Sequence, residues 1–286
     1  MRKVVVALEG GLGNQMFQYA AGRAMALRTG ASLALDVRPL LRRGQRPYGL
    51  GAFRLGKDVK LITEGTLPAR VGKLRRLVRR LTGGERTFRE ADFTYDGRFR
   101  ELRAPARIEG YFQSERYFKE SGAAIRAEFT PNADHYHRLD VLTERLLPTG
   151  PTLSLHVRRG DYTHPATMSV HGLMGPDYYA RALQHVAERV GPTVACVFTD
   201  DPAWTRAHLA LPPGSLIISD HTTSALDDLV LMSRCSHHII ANSSFSWWGA
   251  WLNPCAEKVV VTPERWFQPA SGLDTRDLRP EGWLRT

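Results

Sequence analysis

The chain has 286 residues, 43% hydrophobic and 24% charged, a balance that excludes a disordered or fibrous protein. A formal charge of +10 attracts anions, leaving nucleic acid, anionic lipid headgroups and phosphorylated small molecules open as partners. Cys196, Cys235 and Cys255 have neither metal spacing nor a disulfide pattern and read as free thiols of a reducing compartment.

In chain order, Met1-Arg2-Lys3 precedes a short apolar run, Val4–Leu8, too brief for a signal peptide and predicted as a buried strand. Gly10-Gly11-Leu12-Gly13 is a turn, 14–29 a helix stopped by Gly30, and Leu33–Leu35 a second strand with Asp36 at its end. This is a βαβ unit, which implies a parallel pair. Residues 38–105 are less regular. Within them the arginine-rich stretch 70–89 places Leu74, Leu77, Val78 and Leu81 at helical spacing and breaks at Gly83-Gly84. It reads as a short basic amphipathic helix, either a solvated face or a peripheral contact with an anionic membrane or acidic carrier. Ile108–Gln113 is a strand entering a loop and 120–128 a helix. A helix within 132–151 ends at Pro148-Thr149-Gly150, dividing the chain into domains 1–149 and 150–286.

The second half alternates strand and helix: strands at 153–157, 194–198, 216–218, 238–241 and 258–262, helices at 176–190, 202–209, 225–233 and 246–252. Residues 235–256 carry no formal charge, but Asn242, its serines and Pro254 argue against a membrane span. The expectation is an α/β protein of two Rossmann-like halves facing a cleft, soluble and cytoplasmic, with the inner membrane as its one peripheral contact.

The strand ends carry the chemistry. Arg158 and Arg159 follow a strand directly, where open α/β sheets hold ligands, and a guanidinium grips phosphate oxygens two at a time. Asp200, Asp201, Asp220, Asn242, Ser243 and Ser244 reach the same edge. Ser243 and Ser244 open a helix, either as plain N-caps or as a phosphate site. Asp200 or Asp201 equally reads as an N-cap before Pro202, while Asp220 or Asp201 could accept from a guanine. Trp247, Trp248 and Trp251 read as core. His237 and His238 lack a carboxylate at metal spacing and read as strand-edge residues. The N-terminal glycine turn is an imperfect dinucleotide fingerprint, with Met16 where the third glycine belongs. With Asp36 near the position of a ribose-binding acid, it supports an alternative reading as an NAD(P)-dependent oxidoreductase. A third reading, a non-catalytic binder of nucleic acid or membranes, rests on charge alone.

Gly10-Gly11-Leu12-Gly13-Asn14-Gln15-Met16-Phe17-Gln18-Tyr19-Ala20, His156-Val157-Arg158-Arg159-Gly160-Asp161-Tyr162 and Ala241-Asn242-Ser243-Ser244-Phe245-Ser246-Trp247-Trp248-Gly249-Ala250-Trp251-Leu252 resemble the three signatures of the α-1,2-fucosyltransferases, glycosyltransferase family 11. Gly110-Tyr111-Phe112-Gln113-Ser114-Glu115-Arg116-Tyr117-Phe118 and Phe198-Thr199-Asp200-Asp201 also match. The resemblance implies a two-domain GT-B type fold and an inverting, metal-independent transfer of L-fucose from GDP-β-L-fucose. The acceptor would be the 2-hydroxyl of a terminal galactose, in a surface oligosaccharide or its lipid-linked precursor, with no nucleic-acid partner. It implies that Arg158 grips the β-phosphate, that His156 lies near the ribose or base, and that Arg159 and Asp161 complete the loop. Ser243, Ser244 and Phe245 would flank the donor, while Asn14 would sit beside donor and acceptor. Gln15, Tyr111 and Gln113 are expected on the acceptor side. With no carboxylate cage for Mg²⁺ in the sequence, a fixed guanidinium must stabilise the leaving phosphate. The base for the acceptor hydroxyl stays open among Asp161, Glu9, Glu115 and a phosphate oxygen.

Overall fold

A computed structural model describes residues 2–42, 46–65 and 86–286. It divides into two compact units, Met1–Asn132 with Arg276–Arg279, and Ala133–Thr275 with Pro280–Thr286. The boundary therefore precedes the expected 149/150. The helix Ala133–Leu146 belongs to the second unit because Leu142 and Leu146 pack with Phe198, Ile218 and Leu231 of that unit's core. Residues 70–85 of the basic stretch read as a helix lie outside the described residues; 86–89 form a strand.

The first unit holds a parallel five-stranded sheet in the order β3-β2-β1-β5-β4, with β1 Lys3–Ala7, β2 Ser32–Asp36, β3 Lys60–Ile62, β4 Arg86–Arg89 and β5 Ala106–Glu109. Val4, Val5 and Val6 are all buried, as expected of a central parallel strand covered on both faces. The helix Leu12–Thr29 starts two residues before the predicted 14 and ends where Gly30, in the left-handed conformation, donates to Ala26 O and Leu27 O. Close approach of this helix to the sheet occurs at Gly22, where an added Cβ would lie 2.2 Å from Val6 Cγ2. The glycine that the dinucleotide fingerprint wants at position 16 is thus replaced by one farther along the helix.

Asp36 corrects the oxidoreductase reading. It is fully buried, its Oδ1 accepting from Arg38 Nε and its Oδ2 from Arg38 and Arg107 guanidinium nitrogens, at 2.7–2.8 Å. Burial pushes its pKa up, but hydrogen bonds from Arg38 and Arg107 prevail and hold it below the usual carboxylate range. Both oxygens are engaged by guanidinium groups, leaving no free edge for a ribose.

The second unit holds a parallel six-stranded sheet in the order β11-β10-β9-β6-β7-β8, with β6 Thr152–Val157, β7 Val194–Thr199, β8 Leu216–Ile217, β9 His237–Ile239, β10 Val260–Thr262 and β11 Leu284–Arg285. The helix Pro176–Val190 buries Tyr178, Tyr179, Ala182 and Val186 in a core shared with Leu153, Leu155, Val197, Ile239 and Val261. Trp247, Trp248 and Trp251 are core, as read from the sequence. His238 is fully buried within β9.

Strand order marks a candidate site in the second unit. Chain progression reverses between β6 and β9 of the second sheet; in the first, β1 and β5 are central neighbours, with β1→β2→β3 and β4→β5 stepping the same way. At the switch point between β6 and β9 the connections leave in opposite directions, opening a crevice beyond the carboxyl ends. Arg158 and Asn242 follow β6 and β9; Asn14 and Tyr111 follow β1 and β5.

Candidate functional site

In the second unit, β6 ends at Val157 and the chain turns into a short 3-10 segment, Gly160–Thr163. One Arg158 guanidinium nitrogen pairs with Asp200 Oδ2 at 2.6 Å and the other with Asp161 Oδ1. Asp200, just past β7, also receives the backbone N–H groups of Arg159 and Gly160 on Oδ1, at 2.7 and 3.1 Å. One carboxylate thereby fixes both the loop and the guanidinium it presents. Arg159 bonds Asp201 Oδ2 at 3.2 Å and lies 4.0 Å above the Trp204 ring. Asp201 also takes the N-cap role, accepting from Trp204 N–H at 3.0 Å. The Tyr162 ring lies 5.5 Å from the Arg158 guanidinium and stacks on His171 at 4.6 Å.

Asn242 is fully buried and its amide donates to His171 O and Trp266 O; its Oδ1 has no hydrogen-bond partner among the described residues. Ser243 caps the helix Ser244–Leu252, its Oγ accepting from Phe245 N–H at 3.3 Å. Ser244 and Phe245 are half-buried in the first turn. His156 is buried with its ring 6.0 Å from Phe245. Burial, aided by the Arg158 charge, pulls its pKa down to about 3, so the imidazole is neutral. Asp220 stands apart, in a 3-10 turn after β8, where it pairs with Arg206 on the surface. The structure therefore brings Arg158, Arg159, Asp161, Asp200 and Asp201 into one cluster, with Asp220 outside it.

In the first unit, Asn14 lies in the first turn of the helix Leu12–Thr29, and its Oδ1 accepts from Gln113 Nε2 at 2.9 Å. This bond bridges the loops that follow β1 and β5. Gln15, one residue on, is fully buried and serves the backbone: it donates to Gly10 O and Pro47 O and accepts from Gly49 N–H. Gln18, which no sequence signal separated from its neighbours, bridges Glu9 N–H and Gly110 O. Tyr111 is half-buried and stacks on Phe93 with centroids 5.7 Å apart. Glu9 has a raised pKa because partial burial and Glu109 both disfavour its charge.

Sequence reading quoted Tyr162 and Gln18 within the signatures without a role of their own, and singled out none of His171, Trp204 and Glu90. Tyr162 closes the arginine motif and Trp204 sits one turn after Asp200, so both had a spacing signal; His171 and Glu90 had none. Among the described residues, no group of three His, Cys, Asp or Glu could hold a metal ion.

A family model described as glycosyl transferase family 11 matches residues 103–280. An alpha-1,2-colitosyltransferase of Escherichia coli is 33% identical over 303 residues, covering 100% of this chain and 99% of that protein. The O-antigen biosynthesis glycosyltransferase WbnK of the same organism is 31% identical over 301 residues, covering 97% and 98%. Among solved structures, the fucosyltransferase NodZ from Bradyrhizobium superposes with a TM-score of 0.54 at 18% identity, over 88% of this chain and 93% of that one. That likeness speaks for the fold, GT-B-like with two parallel α/β units. With a family match over more than half its length and relatives aligned end to end, the chain belongs to glycosyl transferase family 11.

Proposed function

We propose that the protein is an inverting, metal-independent glycosyltransferase that moves L-fucose from GDP-β-L-fucose to the 2-hydroxyl of a terminal galactose in a surface glycan or its lipid-linked precursor. The observation that carries this reading is Arg158. It stands at the switch point of the second unit, its side chain 27% exposed and held in place by Asp161 and Asp200. Breaking the glycosidic bond leaves the pair of electrons on a β-phosphate oxygen, and a pre-positioned guanidinium stabilises that charge without reorganising. Every carboxylate near Arg158 and Arg159 is already matched to an arginine or a backbone amide, which supports arginine rather than a metal cation as the group that stabilises the leaving phosphate. Phosphate oxygens displace Asp161 from Arg158, and the freed carboxylate takes the proton of the acceptor hydroxyl. Asn14, Gln15, Tyr111 and Gln113 of the first unit are assigned to the acceptor, with Asn14 and Gln113 reading hydroxyls and Gln15 shaping the loop.

A second donor is favoured by one observation. The colitosyltransferase relative aligns over the whole chain, so GDP-colitose belongs in the same experiment. O-antigen synthesis is the setting that WbnK suggests. In that setting the protein works in the cytoplasm at the inner membrane. No helix among the described residues is long and apolar enough to cross a membrane.

The test is incubation with GDP-fucose or GDP-colitose and a panel of β-galactosides in EDTA, with product linkage read by NMR. A 1,2-linked product of inverted anomeric configuration is expected. Absence of transfer from both donors, or transfer only on adding Mg²⁺, would overturn the proposal.

A further inference from the structure

Glu90 follows β4 and lies outside every motif named above. Its backbone N–H donates to Glu109 O at 3.0 Å, extending the β4–β5 ladder by one residue. From there Oε2 accepts from the backbone N–H groups of Tyr111 and Phe112, each at 2.7 Å. The turn it holds is not relaxed. Phe112, a bulky residue, has φ +53°, a conformation that costs about 1 kcal/mol or more and persists only when its surroundings impose it. Gly110 passes so close that an added Cβ would lie 2.5 Å from Glu90 Cβ. On the other side, the Phe112 ring is fully buried against Phe88, Phe99 and Tyr117. A carboxylate on the amides and an aromatic cluster on the ring thus grip the turn together. The next residue, Gln113, donates to Asn14 Oδ1.

We infer that Glu90 is a positioning residue of the transfer reaction: it fixes the 110–113 turn so that Gln113 holds the Asn14 side chain in one orientation toward the acceptor. This rests on the assignment of Asn14 to the acceptor side. Burial pushes the Glu90 carboxyl up to about 7, with Asp92 adding to the rise, while the two amides and the Tyr117 hydroxyl oppose it. Deprotonation, which makes the better acceptor for the two amides, therefore falls near neutral pH.

The test compares Glu90→Gln, which keeps an acceptor oxygen, with Glu90→Ala, which removes it. Misplacing a substrate-positioning group by about 1 Å costs up to about 100-fold, here in kcat/KM for the galactoside. KM for the nucleotide sugar and the affinity for GDP should not move. Glu90→Gln, the neutral isostere of the protonated carboxyl, should recover part of the loss and remove from the pH profile the acid limb expected of wild type near pH 7. Equal acceptor kcat/KM in wild type and Glu90→Ala, or a change confined to the donor, sinks the inference. Hydrogen exchange at fixed pH gives an arm independent of turnover. Glu90→Ala should speed exchange at Tyr111 and Phe112 while β5 keeps its protection. Unchanged exchange overturns the positioning role even if no donor is turned over, and faster exchange with no turnover overturns the assigned reaction instead. If Glu90→Ala does not fold, Glu90→Asp, which withdraws the carboxylate by one methylene, takes its place in both arms.

Discussion

Arg38, Arg107 and Asp36 in the first unit and Arg158, Asp161 and Asp200 in the second are built from the same two functional groups. They differ in their access to water. Arg107 and Asp36 are 6% and 0% exposed; Arg158 and Asp161 are 27% and 44% exposed. In the first cluster every charge is sealed against its partner, so exchanging a partner for a ligand would strand a buried ion. In the second, water reaches both members of the Arg158–Asp161 pair, so its pairing is weak and a phosphate can replace the carboxylate at little cost. Ion-pair geometry alone cannot tell a structural cluster from a binding one; burial can.

The largest expected break of this comparison is Asp36→Ala. It leaves the buried Arg107 guanidinium with Glu109 alone of its two carboxylates, at 2.8 Å, and should cost about 3 kcal/mol in urea unfolding. A loss under about 1 kcal/mol would make the two clusters alike. Arg158→Ala should do the reverse, lowering kcat by about 100- to 1000-fold while the unfolding midpoint barely moves. Arg158→Lys should not restore turnover, because an ammonium lacks the bidentate fork. Activity of either variant near wild type would remove the phosphate role. Asp161→Asn sharpens the point. Removing a half-exposed competitor is worth about 1 kcal/mol or less, so GDP should bind up to about fivefold more tightly, while kcat falls as the proton acceptor is lost. Weaker GDP binding by isothermal titration calorimetry would show that Asp161 orients the guanidinium rather than competing for it.

The smallest effect is a pH response that separates the units. All 10 histidines lie between residues 135 and 238, in the second unit. His156 and His238 are buried and neutral, each with a pKa pulled down to about 3, chiefly by burial. For each, the unfolded chain binds more protons between about pH 3 and the ordinary histidine value of 6.5. Their stabilisation is therefore complete above 6.5 and shrinks as pH falls, by about 1 kcal/mol or less per group at pH 6. Asp36, with its lowered pKa, gives up stability only below its ordinary value of 3.8. Hydrogen exchange at pH 7 and pH 5.5, corrected for intrinsic rates, should therefore loosen β6 and β9 before β1 and β2. The opposite order would contradict the neutral-histidine account.

Much of the fold was legible because parallel strands announce themselves as continuous apolar runs between glycine turns and capped helices. Val4–Leu8, Leu153–Val157 and Val194–Phe198 needed only local chemistry to be found. The short edge strands β3, β4 and β11 were missed because two to four residues of mixed polarity carry no periodicity. The domain boundary moved because an exposed Pro-Thr-Gly turn marks the end of a helix, not the unit to which it docks. In the site, the motif residues Arg158, Asp161 and Asp200 were found and do meet. Glu90 was hidden among arginines because its significance lies in two amides more than twenty residues away.

The order of hydrophobic runs, turns and caps was enough, by itself, to determine two parallel α/β sheets and to deliver the reactive side chains to strand ends, since those depend on period and steric rules within a few residues. Which carboxylate meets which guanidinium, and which of those pairs stays within reach of water, was decided only when distant strands paired. Burial and charge compensation are properties of the packed neighbourhood, and no stretch of chain contains them alone.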